Sequence, residues 1–153
     1  MNLQDDDQLL EAASQLAYDA VEQVNDDLTQ LKPPLQTVYC VYHATGILDH
    51  GGFLYFFDSD FPCHPPYSFF INAFREIGCE QQAEALQAAV DSFGLPDPEK
   101  QVSLRQDFME THYDDQTQTV ALWNDNIGGN DTVWKSLANW IRSQPDLKDK
   151  LQS

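Results

Sequence analysis

The sequence predicts an all-α fold, a single-domain bundle of about six to seven helices. Two observations predict it. Apolar residues recur at three-and-four spacing along most of the chain, and Gly or Pro closes nearly every such run. Size is consistent with one core: 153 residues with 42% hydrophobic content need no staples to fold. The domain is therefore taken as 1–153.

The first helix is expected from about Asp7 to Leu31. Leu9, Ala13, Leu16, Ala17, Ala20, Val21, Val24, Leu28 and Leu31 fall on one face. Asp5 to Asp7 precede it, where carboxylates favour a helix start, and Lys32-Pro33-Pro34 stops it. A second helix is expected over Leu35 to Asp49, with Val38, Tyr39, Tyr42 and Leu48 inward and Gly51-Gly52 at its end. Phe53 to Phe57 reads either as a short strand or as the start of another helix. Three prolines make Asp58 to Pro66 a loop.

A third helix over Tyr67 to Ile77 buries Phe70, Ile71 and Phe74 and ends at Gly78. An alanine-rich fourth runs from Glu80 to Phe93 before Gly94. Asp97-Pro98 has the form of an N-cap followed by proline at the first helical position. It opens a fifth helix to about His112, with Val102, Phe108 and Met109 inward. Thr117 to Asn126 reads as a short helix or an extended segment, followed by a turn at Ile127 to Asn130. Asp131 then caps a last helix to about Ser143 that buries Val133, Trp134, Leu137 and Ile141.

Charge is the informative quantity. Twenty-five Asp and Glu against eight Lys and Arg leave a formal charge of −17. The excess is uneven, for residues 1–74 carry eleven acids and one base, Lys32. Such a surface repels itself, aids solubility and steers basic partners. It also argues against direct nucleic-acid binding, which needs clustered Lys and Arg. No apolar run approaches the ~20 residues that span a bilayer, and the N-terminus lacks a basic region followed by an apolar core. Three cysteines are an odd set, expected as reduced thiols in a cytoplasm.

On the first helix, the face opposite the apolar one reads Glu11, Gln15, Asp19, Glu22, Asp26. These steps keep the five side chains within about 80° of arc. Each step advances about 5 to 6 Å, similar in scale to the spacing of charges along a nucleic-acid strand. No lysine interrupts the row, although like charges at this spacing cost a few tenths of a kcal/mol per pair. Glu80, Glu84, Gln87 and Asp91 repeat the theme on the fourth helix. The functional reading is a negative rail that imitates a phosphate backbone. The competing reading is a solvated face that happens to lack lysine.

Other chemistry has less support. His43, His50, Cys63, His64 and Cys79 are metal-ligand types, yet none falls in a zinc-type pair, so no metal and no cofactor is expected. No nucleophile elbow, zinc-protease motif or phosphate-binding loop is present. The aromatic cluster from Tyr39 to Phe74 is most simply core, with a dimer face as the alternative.

Around Leu48-Asp49-His50-Gly51-Gly52-Phe53-Leu54-Tyr55-Phe56-Phe57-Asp58-Ser59 the chain resembles a bacterial family of small helical proteins, one member of which is described as a DNA mimic. Gly51, Gly52, Phe53, Phe56 and Phe57 match the family's Gly-Gly-Phe-x-x-Phe-Phe pattern. His50 stands where Asn is usual, and Tyr55 where Gln is usual. The likeness continues through Asn72 to Cys79 into the alanine-rich helix and is best over about 35–95. The motif has no chemistry of its own and reads as a packing and turn signature. The resemblance implies an all-α homodimer and a double-stranded DNA mimic that sequesters a basic DNA-binding protein such as a transcription regulator.

Put together, the expectation is a non-enzymatic inhibitor. Glu11, Asp19, Glu22 and Asp26 with Glu80, Glu84 and Asp91 would replace phosphates in the groove of a basic DNA-binding protein. The alternative is an immunity-type inhibitor of one basic toxin or nuclease. An enzyme using Cys63 or His64 ranks third.

Overall fold

The computed structural model describes residues 2–112 and 130–152. Among the described residues are seven α-helices and no strand, as the all-α expectation requires. They are α1 (Asp6–Gln23), α2 (Leu35–Asp58), α3 (Tyr67–Glu76), α4 (Glu80–Asp91), α5 (Val102–His112), α6 (Asn130–Arg142) and α7 (Pro145–Gln152). Single 3-10 turns lie at Leu28–Gln30 and Pro98–Lys100. The segment expected at Thr117 to Asn126, and the turn that follows to Gly129, lie outside the described residues. The hub is α2: α1, α3, α5 and α6 pack on it, α4 packs on α3, and α7 on α6 and α1.

At its N-terminus α1 is capped by the Asp5 carboxylate, which accepts from the Gln8 amide at 3.1 Å. Its apolar stripe, including Leu9, Ala13, Ala17 and Val21, is buried as predicted. The helix ends eight residues earlier than the Leu31 that the spacing suggested. Asn25 takes the left-handed conformation (φ 56°) and the Asp26 amide donates back to the Val21 carbonyl, while the Asn25 amide donates to Glu22. That pair of bonds closes a helix end, and Asn is among the few residues that tolerate it. Leu28 and Leu31 still reach the core, but from the 3-10 turn beyond.

In α2, helical backbone persists on both sides of Gly52, where φ is 65° and ψ −158°. Residues with a side chain do not adopt that region. The Gly-Gly pair therefore marks a kink, and Phe53 to Phe57 is a second helical arm rather than a strand. Gly51 is constrained differently: a Cβ there would lie 2.0 Å from the Tyr55 ring. Past the kink, Phe56 meets Phe57, Phe61, Tyr67 and Phe70 at centroid separations of 5.2 to 5.7 Å. These rings are buried, so this aromatic cluster is core. α3 ends at Gly78 (φ 88°), through a Cys79 amide bond to the Phe74 carbonyl.

Two expectations near the fifth and last helices need correcting. Asp97 is not an N-cap: it is left-handed (φ 46°), makes no capping bond, and Pro98 opens a 3-10 turn. The α-helix begins only at Val102. Met109 is fully buried, whereas Val102 and Phe108 are half-buried. After α6, the segment from Pro145 forms α7, with Leu147 buried. Proline at a first helical position costs no hydrogen bond.

The spacing gave no hint of Arg105. Its side chain is among the most buried in the protein. The guanidinium donates to the carbonyls of Phe57 (3.0 Å), Ser59 (3.0 Å) and Pro98 (2.7 Å), and it lies 6.0 Å from the centre of the Tyr67 ring. A planar five-donor head is the side chain that can satisfy three carbonyls at once. Arg105→Met removes the guanidinium donor from the Phe57 and Ser59 carbonyls and leaves Pro98 only the Gln101 amide, and urea denaturation should show a loss of about 3 kcal/mol or more. Arg105→Lys should recover only part of it; a loss under about 1 kcal/mol in the Met variant would refute the role.

Thr45 gives the opposite case. Its hydroxyl is fully buried and has no hydrogen-bond partner among the described residues. The isosteric Thr45→Val change should raise stability by about 1 kcal/mol in the same assay.

Candidate protein-interaction surface

All seven carboxylates expected to form the interaction surface are exposed. On α1 the row holds for Glu11, Gln15, Asp19 and Glu22, with the Gln15 amide donating to Asp19 at 2.9 Å. Asp26 leaves the row, because the left-handed turn at Asn25 and Asp26 takes it off the helix. What remains spans about 16 Å along the axis, at 1.5 Å per residue. No Lys or Arg pairs with Glu11, Asp19 or Glu22 among the described residues.

The α4 row is weaker. Glu80 is paired with Arg75 at 3.2 Å, and Asp91 accepts from Gln87 at 2.8 Å. Glu84 is exposed and has no ion-pair partner among the described residues. Because α4 packs on α3 and α1 packs on α2, the two rows belong to different layers of the bundle. Near the chain's N-terminus, Arg142 pairs with Asp6 and donates to the Leu3 carbonyl at 2.9 Å. That arginine ties α1 to α6 and leaves the rail untouched.

A feature that sequence reading missed lies beside the rail. A cavity of about 520 Å³ opens between α1 and the two arms of α2. Tyr18, Tyr42, His43, His50, Tyr55 and Asp58 contribute to its walls. At 100° per residue, Tyr18 sits about 20° from Glu11 and about 40° from Glu22 around α1. The groove is thus continuous with the acidic face. Its walls are built by stacking: Tyr39 lies against His43 at 5.1 Å and 16°, and Tyr18 meets Tyr39 edge-on at 5.2 Å. The Tyr18 hydroxyl and His43 Nδ1 are hydrogen-bonded at 2.9 Å. His50 and Tyr55, the two departures from the family-like pattern, approach at 5.8 Å.

The environment shifts these groups. Burial pushes Tyr39 up to about 12 and raises Tyr18, the latter also through its neighbour Tyr42. Burial lowers His43 from its ordinary 6.5, favouring the neutral ring. Elsewhere, His64 pairs with Asp60 at 3.2 Å, Cys40 and Cys79 are buried and Cys63 is exposed. No group of three or more His, Cys, Asp or Glu is placed to hold a metal among the described residues. Nor is any described helix long and apolar enough to cross a membrane.

The sign of the His43 shift gives a pH dependence. As pH falls below 6.5 the unfolded chain takes up this proton before the folded one does. Folding stability attributable to His43 is therefore present above that value and declines beneath it. His43→Phe should lose less stability than the parent between about pH 7.5 and about pH 5.5. Urea midpoints at the two values measure it, and identical losses would count against the assignment.

The sequence model of one family, described as DMP19-like protein, matches residues 29–144. The match extends beyond the 35–95 stretch on both sides and excludes α1. No curated protein and no solved structure matches the chain.

Proposed function

The chain belongs to the DMP19-like protein family, and from that premise we propose that it is a DNA mimic. Its carboxylates occupy the nucleic-acid-binding surface of a basic DNA-binding protein, such as a transcription regulator, and sequester it. The observation that carries this reading is the row Glu11, Asp19 and Glu22: exposed, collinear on one helix, and without a cationic partner among the described residues. A face needing only solubility ordinarily mixes signs. Because α1 lies outside the residues matched by the family, its charge supports the proposal separately.

Glu84 and Asp91 on α4 extend the negative surface, with Glu80 partly offset by Arg75. Asp26 contributes as an isolated charge in the turn. A homodimer, implied by the family resemblance, doubles the number of such rows. The action is binding, not catalysis, and it takes place in the cytoplasm.

The test is displacement of labelled duplex DNA from the purified basic protein that copurifies with the chain. Displacement should weaken steeply between about 50 and about 200 mM salt, as charge-steered association does. Changing Glu11 and Glu22 to Gln and Asp19 to Asn together should weaken it by about tenfold or more. Unchanged displacement by that triple variant would sink the proposal.

A further inference from the structure

The aromatic groove beside α1 has a chemistry of its own. Tyr18, Tyr55 and Leu104 are the exposed large hydrophobic side chains among the described residues, and two of the three line this one cavity. Partly exposed tyrosines in a concave site commonly mark recognition. Asp58 adds a carboxylate to the wall, exposed and with no ion pair among the described residues. Arg105, which bonds the carbonyls of the residues on either side of Asp58, is committed to Phe57, Ser59 and Pro98. No Lys or Arg lines the cavity.

These features select the occupant. An anion would meet Asp58 and a chain carrying −17 with no compensating cation in the wall. A purely apolar ligand would leave the Asp58 carboxylate without a partner. A cation satisfies both the aromatic rings and the carboxylate. Guanidinium fits better than ammonium, since it is flat, weakly hydrated and stacks on rings while keeping donors for a carboxylate. His43, held toward its neutral form by burial, adds little repulsion.

We propose that this groove is a receptor for an arginine side chain of a basic partner protein, its guanidinium lying against the Tyr18 and Tyr55 rings with Asp58 as counter-charge. The proposal deepens the mimic reading and rests on it for the kind of partner, while the binding chemistry stands on the groove itself. The rail draws in a basic surface over a distance, and the groove fixes one arginine of that surface at the rail's edge. Gly51 is part of the device, because only a residue without a Cβ lets the Tyr55 ring sit where it does.

The experiment titrates the full chain with Nα-acetyl-arginine amide and follows backbone amide NMR shifts. Nα-acetyl-citrulline amide, the same shape without the charge, serves as the comparison probe. Saturable shifts should cluster at Tyr18, His43, Gly46 and Tyr55, with citrulline at least about threefold weaker. Asp58→Asn and Tyr55→Ala should each weaken arginine binding by about three- to tenfold. Glu110→Gln, an exposed change on α5, should not. Because Asp58 is exposed, its variant should retain the parent's dispersed spectrum and so separates lost binding from lost folding. Equal binding of citrulline, an Asp58→Asn variant as tight as the parent, or shifts scattered over the whole acidic surface would each overturn the proposal. A chain that binds arginine amide here yet fails to displace DNA refutes the mimic reading and leaves the groove standing. The reverse pair of results refutes the groove alone.

Discussion

The structure depends on one backbone conformation, the positive φ of Gly52 inside the central helix. A straight α2 would carry Phe53, Phe56 and Phe57 along the same cylinder as Val38 and Leu48. The bend instead turns the second arm toward α3, where those rings are buried with Tyr67 and Phe70. It also sets the end of α2 where Arg105 can reach the carbonyls of Phe57 and Ser59, 48 and 46 positions away in sequence. The groove draws its walls from residues on both sides of the same bend. Core, buried cation and candidate recognition site thus share one cause.

The distribution of positive charge explains why the surface stays so negative. Each of the three arginines has a structural partner. Arg75 holds Glu80, Arg105 holds three carbonyls, and Arg142 joins Asp6 and Leu3 to α6. None is placed against Glu11, Asp19 or Glu22. Like charges along an exposed helix cost stability. The large buried aromatic cluster offsets that cost many times over, since each buried ring contributes about 2 kcal/mol or more.

Much of this was legible in the sequence, and what was not has identifiable reasons. Helices α1, α3, α4 and α6 announced themselves through apolar spacing and through Gly78 and Gly94. The end of α1 was misplaced because Val24, Leu28 and Leu31 continue the helical spacing after the backbone has left the helix. Asn25, a residue that tolerates the left-handed turn, was the available signal. α7 is short, with Leu147 and Leu151 as its only large apolar residues, and Pro145 was its one clue. Asp97-Pro98 matched a capping pattern, but pattern cannot report the left-handed backbone that defeats it. Arg105 looked like any helix cation, for its hydrogen-bond partners are set by tertiary packing. The groove was invisible for the same reason: Tyr18 and Tyr55 are 37 positions apart and meet one cavity only after α2 bends.

The turn at Asn25 also acts as a ruler. By ending α1 it fixes the uninterrupted acidic track at about 16 Å, roughly half of one duplex turn. On the mimic reading, one copy therefore counterfeits a single operator half-site. A two-fold symmetric repressor, whose recognition elements sit a full turn apart, would need one copy for each arm. On that reading, stoichiometry at the target would follow from a backbone dihedral at the end of a helix, three residues beyond Glu22.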